Sequence, residues 1–170
     1  MRIFKRHTSI WEDALLGALA GGVATTIMGP AMARLQSMER PKAKEIEKKV
    51  GPSEHPPAQV AGKVAAFAGI PLSKAQREKG GTLVHYGYGM FWGAVFGVLH
   101  PRVKIPGILH GLVFGTALAL LSEAVILPAF KLAPPPQRYP VDTHLAGWAA
   151  HLLYGASAER SFSLMKRALA

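Results

Sequence analysis

Cysteine is missing from this chain of 170 residues, and acidic residues are scarce, with 10 Asp and Glu against 20 Lys and Arg. The lack of cysteine excludes disulfides, iron–sulfur clusters and zinc sites with cysteine ligands. The sequence also lacks a nucleophile–base motif, a glycine-rich loop for phosphate and a pair of carboxylates at catalytic spacing. We therefore predict a protein without enzymatic activity or catalytic residues.

Charged residues are also nearly absent from three long stretches, 14–33, 83–99 and 105–130. Ten of the 20 Lys and Arg lie instead between Arg34 and Lys79, in the segment that separates the first two stretches. This segregation is typical of a membrane protein whose basic loops contact anionic lipid. A nucleic-acid-binding domain would spread its basic residues along groove-facing elements, so we predict no nucleic-acid partner.

The apolar stretches predict an all-α fold, a polytopic membrane helix bundle that forms a single domain over residues 1–170. About four transmembrane helices are expected, at about 14–33, 83–99, 106–130 and 141–158. Crossing a hydrocarbon core of roughly 30 Å takes about 20 residues of helix. The fourth span is the weakest prediction, because Asp142, His144 and His151 dilute its apolar character.

The first apolar run also has a competing interpretation as a signal peptide. Ala31-Met32-Ala33 resembles a cleavage site after an apolar run. Glu12 and Asp13 directly before the run argue against that interpretation, because a signal peptide carries a basic segment there.

The segment 34–81 is predicted to be a polar loop with an amphipathic helix at 58–70. Its apolar stripe consists of Val60, Val64 and Phe67. Thirteen residues are too few to span, so we expect an interfacial helix that lies on the membrane or against the bundle. A surface helix of a small loop domain remains open. The orientation in the membrane is predicted from the number of Lys and Arg on each of its two sides, and these numbers, which include Arg2, Lys5 and Arg6, are similar. The side richer in Lys and Arg is expected to be cytoplasmic, and this rule puts the long loop in the cytoplasm.

Glycine recurs at every fourth residue in three of the predicted spans. The rows are Gly17 and Gly21 in the first span, Gly89, Gly93 and Gly97 in the second, and Gly107, Gly111 and Gly115 in the third. Four-residue spacing places these positions on one side of a helix and lets a neighbouring backbone approach closely. We predict tight packing through these rows, most simply between the second and third spans. A row that faces another copy or another subunit is equally compatible with the spacing.

Ionisable side chains inside the spans are the remaining candidates for function, because a charge in the bilayer is costly. Glu123 lies about two thirds of the way along the third span, and we expect it to face the protein interior, be protonated or pair with His151. Such a pair could relay protons, bind a cation or simply join two helices by a hydrogen bond. His85 and His110 lie near span ends, where an imidazole can meet water at low cost.

Histidines on several helices also suggest haem or a metal ion as a possible ligand. His144, Trp148, His151 and Gly155 share one face of the fourth helix, as His85, Tyr88, Trp92 and Phe96 do on the second. His144 and His151 are two turns apart, about 10 Å, too far to bind one ion. No two histidines on different spans match clearly in depth, so no cofactor and no metal ion are predicted.

Several motifs of the chain follow one another in a particular order. They are a proline-led amphipathic stretch at 56–72, a span that opens with His85, a turn from Pro101 to Lys104, a glycine-rich span that ends near Pro128, a loop at Pro134–Pro136, and Asp142 before a last helix with His and Trp. In this order they resemble the YagU-like family of poorly characterised bacterial inner-membrane proteins, whereas the basic insert at 39–49 departs from that pattern. The resemblance implies a multi-pass protein of the bacterial inner (cytoplasmic) membrane, linked to acid tolerance, with no assigned reaction or ligand.

Two functions remain open from the sequence. The first is a non-enzymatic membrane protein that packs through its glycine rows as a homo-oligomer or as an accessory subunit of a membrane complex. The alternative is a proton- or cation-handling membrane protein, with Glu123 and His151 as its intramembrane site and His85, His110 and His144 on the route to water. A polar cavity that reaches Glu123 would favour the alternative, and a dry hydrogen bond between two helices would favour the first.

Overall fold

A computed structural model describes residues 9–169, and the regular structure in this part of the chain is helical throughout. In chain order the helices are α1 (Ile10–Ser37), α2 (Pro41–Val50), α3 (Pro56–Phe67), α4 (Lys74–Leu99), α5 (Gly107–Leu121), α6 (Leu127–Ala129) and α7 (Val141–Ala168). A π-helical turn, Ser122–Ile126, joins α5 to α6, and a 3-10 turn, Pro136–Arg138, precedes α7. Arg2, Lys5 and Arg6, which enter the charge count, lie outside the described residues.

Local sequence signals set where these helices begin. Ser9 before α1 accepts a hydrogen bond from the Glu12 backbone N–H and donates its own N–H to the Glu12 carboxylate, a capping box. Ser73 and Gln76 form the same motif at the start of α4. Prolines supply the fixed φ angle at the other starts, namely Pro41, Pro56, Pro106 and Pro140.

The helices extend beyond the predicted spans where polar residues continue the helix. α4 begins at Lys74 rather than at 83, and α7 ends at Ala168 rather than at 158. Hydropathy marks only the apolar part of a helix, whereas caps and backbone hydrogen bonds decide its length. Two of the described helical stretches, Ile10–Ser37 and Gly107–Ala129, are long and apolar enough to cross a membrane.

The four long helices form a bundle in which α1 packs on α4 and α7, and α5 packs on α7. The prediction that the second and third spans pack through their glycine rows is therefore wrong. The row on α4 faces α1, and a Cβ added at Gly93 would lie 2.6 Å from the Gly21 Cα. α4 and α5 meet instead through aromatic rings, with the Phe96 and Phe114 centroids 5.1 Å apart. These rings are too bulky for the backbones of α4 and α5 to touch.

The row on α5 packs against α7, where Gly155 provides the matching gap. A Cβ at Gly155 would lie 2.9 Å from the Gly115 nitrogen, and one at Gly111 would meet the Gly155 carbonyl group. Gly107 does not belong to this row, although its spacing suggested it. It opens α5 with a φ of +45°, and nothing lies within 4 Å of its Cβ position.

Larger buried side chains fill the space between the two glycine-packed helix pairs. Tyr154 and Phe162 of α7 and Phe96 of α4 are the largest side chains that are fully buried among the described residues. The Tyr154 hydroxyl donates to the Gly89 carbonyl oxygen at 2.5 Å and so connects α7 to the contact between α1 and α4.

Helix α3 packs on α4 through its alanines rather than through the predicted apolar stripe. Ala58 and Ala61 are buried, and a Cβ at Gly81 would lie 2.8 Å from the Ala58 nitrogen. Val64 and Phe67 of the stripe point away, with exposed fractions of 64% and 97%. Because small residues allow two helices to approach more closely, the alanines form the contact with α4 and the apolar stripe faces outward.

We expect Gly93→Ala to destabilise the bundle by about 1–3 kcal/mol, because a Cβ there collides with the backbone of α1. The matched control is Gly87→Ala in the same helix, where nothing lies within 4 Å of the Cβ position. Alanine is there expected to be neutral or to stabilise by up to about 1 kcal/mol. Thermal unfolding of the detergent-solubilised variants measures both changes, and equal midpoints for the two variants would contradict the close contact.

Candidate functional sites

Glu123 lies in the π-helical turn Ser122–Ile126, where the backbone departs from regular α-helix. The Leu127 N–H donates to the Ser122 carbonyl oxygen, five residues earlier, instead of to the residue four earlier. Pro128 follows directly and has no N–H to donate, so the regular pattern is interrupted here in any case. Such turns occur often at functional sites, because the extra residue changes where side chains point.

Glu123 pairs with His144 at the start of α7. Its Oε2 atom lies 3.2 Å from His144 Nδ1, while His144 Nε2 lies 2.9 Å from the Pro136 carbonyl oxygen. A carbonyl oxygen only accepts, so Nε2 carries a proton and donates it there. One further proton is then required between Nδ1 and the carboxylate, either on Glu123 or on an imidazolium. The pair is arranged to hold that proton.

The predicted pair of Glu123 with His151 is wrong. His151 lies two helical turns further along α7, and its Nδ1 is 2.8 Å from the Gly147 carbonyl oxygen of the same helix. Gly147 provides the room for the carboxylate, because a Cβ there would collide with Glu123 Oε1. His85 is half-buried on α4.

A cavity of about 470 Å³ reaches Glu123 and His144 from the end of the bundle that carries α2 and α3. Lys44 and Glu47 of α2 also line it. A cavity that reaches Glu123 is therefore present, although it leads to His144 rather than to His151 and more of its lining surface is apolar than polar. Glu123 keeps 29% and His144 34% of its side-chain surface exposed, so water or a small ion can contact both.

Ion pairs and hydrogen bonds hold the cavity walls in place. The side chain of Arg40, before α2, makes two hydrogen bonds to Asp142 of α7, from Nη2 to Oδ1 at 2.6 Å and from Nε to Oδ2 at 2.8 Å, and the Arg40 backbone N–H donates a third. Arg77 of α4 binds Glu54 at 2.6 Å. Gln59 of α3 donates to the Leu132 carbonyl oxygen at 2.8 Å. The segment between α1 and α4 is thus attached both to α4 and to the connection before α7.

Glu39, in the turn between α1 and α2, is a buried carboxyl near this cavity, with 8% of its surface exposed. Burial, and then the negative charges of Glu47 and Asp142, raise the pKa of Glu39 to about 7. In the sequence Glu39 is only the first residue of the basic insert at 39–49, and nothing in that pattern distinguishes a buried carboxyl from a solvated one.

A second polar cluster lies at the opposite end, where α4 ends, α5 begins and α7 approaches its last turns. His110 was expected to meet water, but it is buried, with 4% exposed. Its ring stacks on His100 at a centroid distance of 5.0 Å. Glu159 of α7 is 5% exposed, and its Oε2 atom lies 3.0 Å from His100 Nε2. Glu159 lies one residue beyond the predicted fourth span, 141–158, and His100 directly precedes the predicted turn that begins at Pro101, so hydropathy did not distinguish either residue.

Comparison with known proteins identifies a family and no function. Residues 49–160, more than half of the chain, match the model of a family described as Protein of unknown function (DUF1440). The match begins in α2 and leaves α1 outside. Neither a curated protein nor a solved structure matches the chain.

The raised pKa of Glu39 predicts that stability falls as pH rises. Between the ordinary carboxyl value of 4.5 and about 7, the folded state binds more protons than the unfolded state, so each step to higher pH favours unfolding. The denaturation midpoint of the wild type should be lower at pH 8 than at pH 5. Glu39→Gln should reduce that difference. Glu45→Gln, at an exposed carboxyl of α2, is the matched control and should keep the wild-type difference.

Proposed function

The chain belongs to the DUF1440 family, which is the family of the YagU-like proteins, and we propose that it is a multi-pass membrane protein without enzymatic activity. In this proposal the protein takes up a proton or a small cation at the Glu123–His144 pair and passes it on. The observation that carries this proposal is the geometry of the pair. Glu123 lies in an apolar helical stretch, faces His144 and is reached by the cavity.

The Glu123–His144 pair is suited to the exchange of a proton or a cation because it has two ways to balance its charge. With the shared proton present, the hydrogen bond between Glu123 and His144 is satisfied. When that proton leaves, the carboxylate faces the lone pair of Nδ1, and this arrangement is stabilised only if a cation takes the proton's place. Carboxylates inside membrane helices commonly serve as proton or ion sites for this reason. The exposed fraction of both side chains provides the access that exchange requires.

We propose that all four long helices cross the bilayer. Their outward faces carry large apolar side chains, whereas the contacts between them contain glycine and alanine. The outward residues include Leu15, Leu19, Val23 and Ile27 on α1, Met90 and Phe91 on α4, Ile108, Val113 and Leu120 on α5, and Leu145, Trp148 and Leu153 on α7. Large residues outside and small ones inside are typical of helices packed in lipid. Phe67 and Val64 of α3 lie at one end, where an interfacial helix would contact the membrane surface.

The role as a homo-oligomer or accessory subunit stays a prediction, as does the bacterial inner membrane as its location. The glycine rows no longer support oligomerisation, because Gly17, Gly21, Gly89, Gly93, Gly97, Gly111 and Gly115 face another helix of the same chain. A second copy or a partner subunit would have to bind the outward apolar faces instead.

The absence of cysteine makes the topology directly testable with single cysteines. We expect Lys104→Cys, between α4 and α5, and Arg167→Cys, near the end of α7, to be labelled from the same side of sealed vesicles. Lys42→Cys in α2 should be labelled from the other side. These three positions are exposed. Labelling of residues 42 and 104 from one side by a membrane-impermeant reagent would contradict the crossing by α4.

Proton or cation handling is tested by flux into proteoliposomes that contain a pH-sensitive or cation-sensitive dye. We expect the protein to dissipate an imposed proton, sodium or potassium gradient faster than protein-free liposomes do. Glu123→Gln should reduce the protein-dependent rate by about tenfold or more, since a hydrogen bond to a charged group is worth about 1.5–3 kcal/mol. His144→Gln should have a similar effect.

The matched control is Glu45→Gln, which removes an exposed carboxylate from α2 outside the cavity lining and leaves the Glu123–His144 pair in place. It should retain most of the rate. A Glu123→Gln protein as fast as the wild type, or a wild type no faster than protein-free liposomes, would refute the proposed function.

A further inference from the structure

The end of the bundle opposite the cavity carries two histidines and one glutamate that converge on one point. His100 lies at the end of α4, His110 in the first turn of α5 and Glu159 in α7. One ligand atom from each of the three residues lies within 4.8 Å of the others. Three separate helices therefore deliver three metal-ligating groups to one place.

Two of these groups are buried with a polar atom left unpaired. Among the described residues, His110 Nδ1 and Glu159 Oε2 have no hydrogen-bond partner, and both side chains are more than nine-tenths buried. Glu159 Oε2 lies 3.0 Å from His100 Nε2, a contact that is an ion pair when the imidazole is protonated, but no hydrogen bond joins the two atoms. Buried unpaired polar atoms are unfavourable, and a bound ion would satisfy them.

The surroundings orient the carboxylate and exclude water from it. Ser163 donates its hydroxyl to Glu159 Oε1 at 2.8 Å, which leaves Oε2 turned toward the histidines. Gly111 provides the room, because a Cβ there would lie 2.8 Å from the Glu159 Cβ. A second polar group that fixes a ligating carboxylate is a regular feature of metal sites.

Aromatic rings close the site from the bundle interior. Phe96 lies 5.1 Å from the His110 ring and 5.5 Å from the His100 ring, and Phe162 lies 4.9 Å from His100, all measured between centroids. The side toward the bundle end is open through His100, which keeps 28% of its side chain exposed. An ion can therefore enter past His100 without crossing the core.

We propose that His100, His110 and Glu159 form a binding site for a divalent transition-metal ion, with Zn²⁺ as the best match. Two imidazoles and one carboxylate are a ligand set that zinc and neighbouring first-row metals bind, whereas Mg²⁺ and Ca²⁺ prefer oxygen ligands alone. Three protein ligands leave one coordination position for water or another small ligand. The site is separate from the Glu123–His144 pair and does not depend on the proposed proton or cation function.

Binding requires a small adjustment of the two rings. They lie within 19° of parallel, so one ring must tilt before both nitrogens point at one ion. His100 is the ring with the freedom to tilt, because it is partly exposed at a helix end. Two ligands at about 2.1 Å from one ion are no more than about 4.2 Å apart, a separation close to the 4.8 Å within which the three ligand atoms lie.

The test uses the full chain without a polyhistidine tag, in detergent or nanodiscs, stripped of metal with a chelator. Competition with a chromophoric chelator then measures Zn²⁺ binding, with excess Mg²⁺ present. We expect one Zn²⁺ per chain in the wild type. Glu159→Gln and His100→Gln should each weaken the affinity by more than about tenfold, and Ser163→Ala by about tenfold. The absorption spectrum of added Co²⁺ reports the change in ligand set.

His144→Gln is the matched control, because His144 also contacts a glutamate but lies at the other end of the bundle. This variant should leave the Zn²⁺ affinity unchanged. His100→Gln keeps the test valid if Glu159→Gln does not fold, since His100 lies at an exposed helix end. Absence of stoichiometric Zn²⁺ binding, or wild-type affinity in Glu159→Gln or His100→Gln, would overturn the proposal. Neither result would change the flux expected from the Glu123–His144 pair.

Discussion

Backbone-to-backbone contact between helices is the constraint on which the rest of this structure depends. At Gly93 in α4 and at Gly155 in α7, the neighbouring helix lies so close that no Cβ fits. In the membrane location that we propose, helices gain little from hydrophobic burial against one another, so close packing of small residues must hold them together. The two glycine contacts produce two tight pairs, α1 with α4 and α5 with α7, and larger side chains occupy the space between the pairs.

Glycine also decides where carboxylates can enter the bundle. Glu123 reaches His144 because Gly147 lacks a Cβ, and Glu159 reaches the two histidines because Gly111 lacks one. Any side chain at either glycine would displace the carboxylate toward lipid or solvent. The same residue type that brings the helices together thus leaves the gaps in which a buried charge can meet its partner. Packing and candidate chemistry are not separable at these positions.

The helical class and the approximate position of each long helix could be predicted from the sequence, because hydropathy and helix caps are local signals. Which helices pair could not, since a four-residue glycine spacing identifies a smooth face but not the helix that lies on it. Glu159 escaped notice because hydropathy ended the span where the helix continued. His110 was expected to contact water because its burial depends on Phe96 and His100, and these residues approach His110 only when the end of α4 packs against the start of α5.

The antiparallel register of α5 and α7 explains both candidate sites together. Gly111 packs against Gly155, and in that register His110 falls near Glu159 while Glu123 falls near His144. Each end of this helix pair therefore holds one histidine and one glutamate from opposite helices. A slip of one helical turn, about 5.4 Å, would separate both sets at once. Had the Gly111–Gly155 contact been assumed from the sequence, His144 rather than His151 would have followed as the partner of Glu123, because the register leaves no freedom once one contact is fixed.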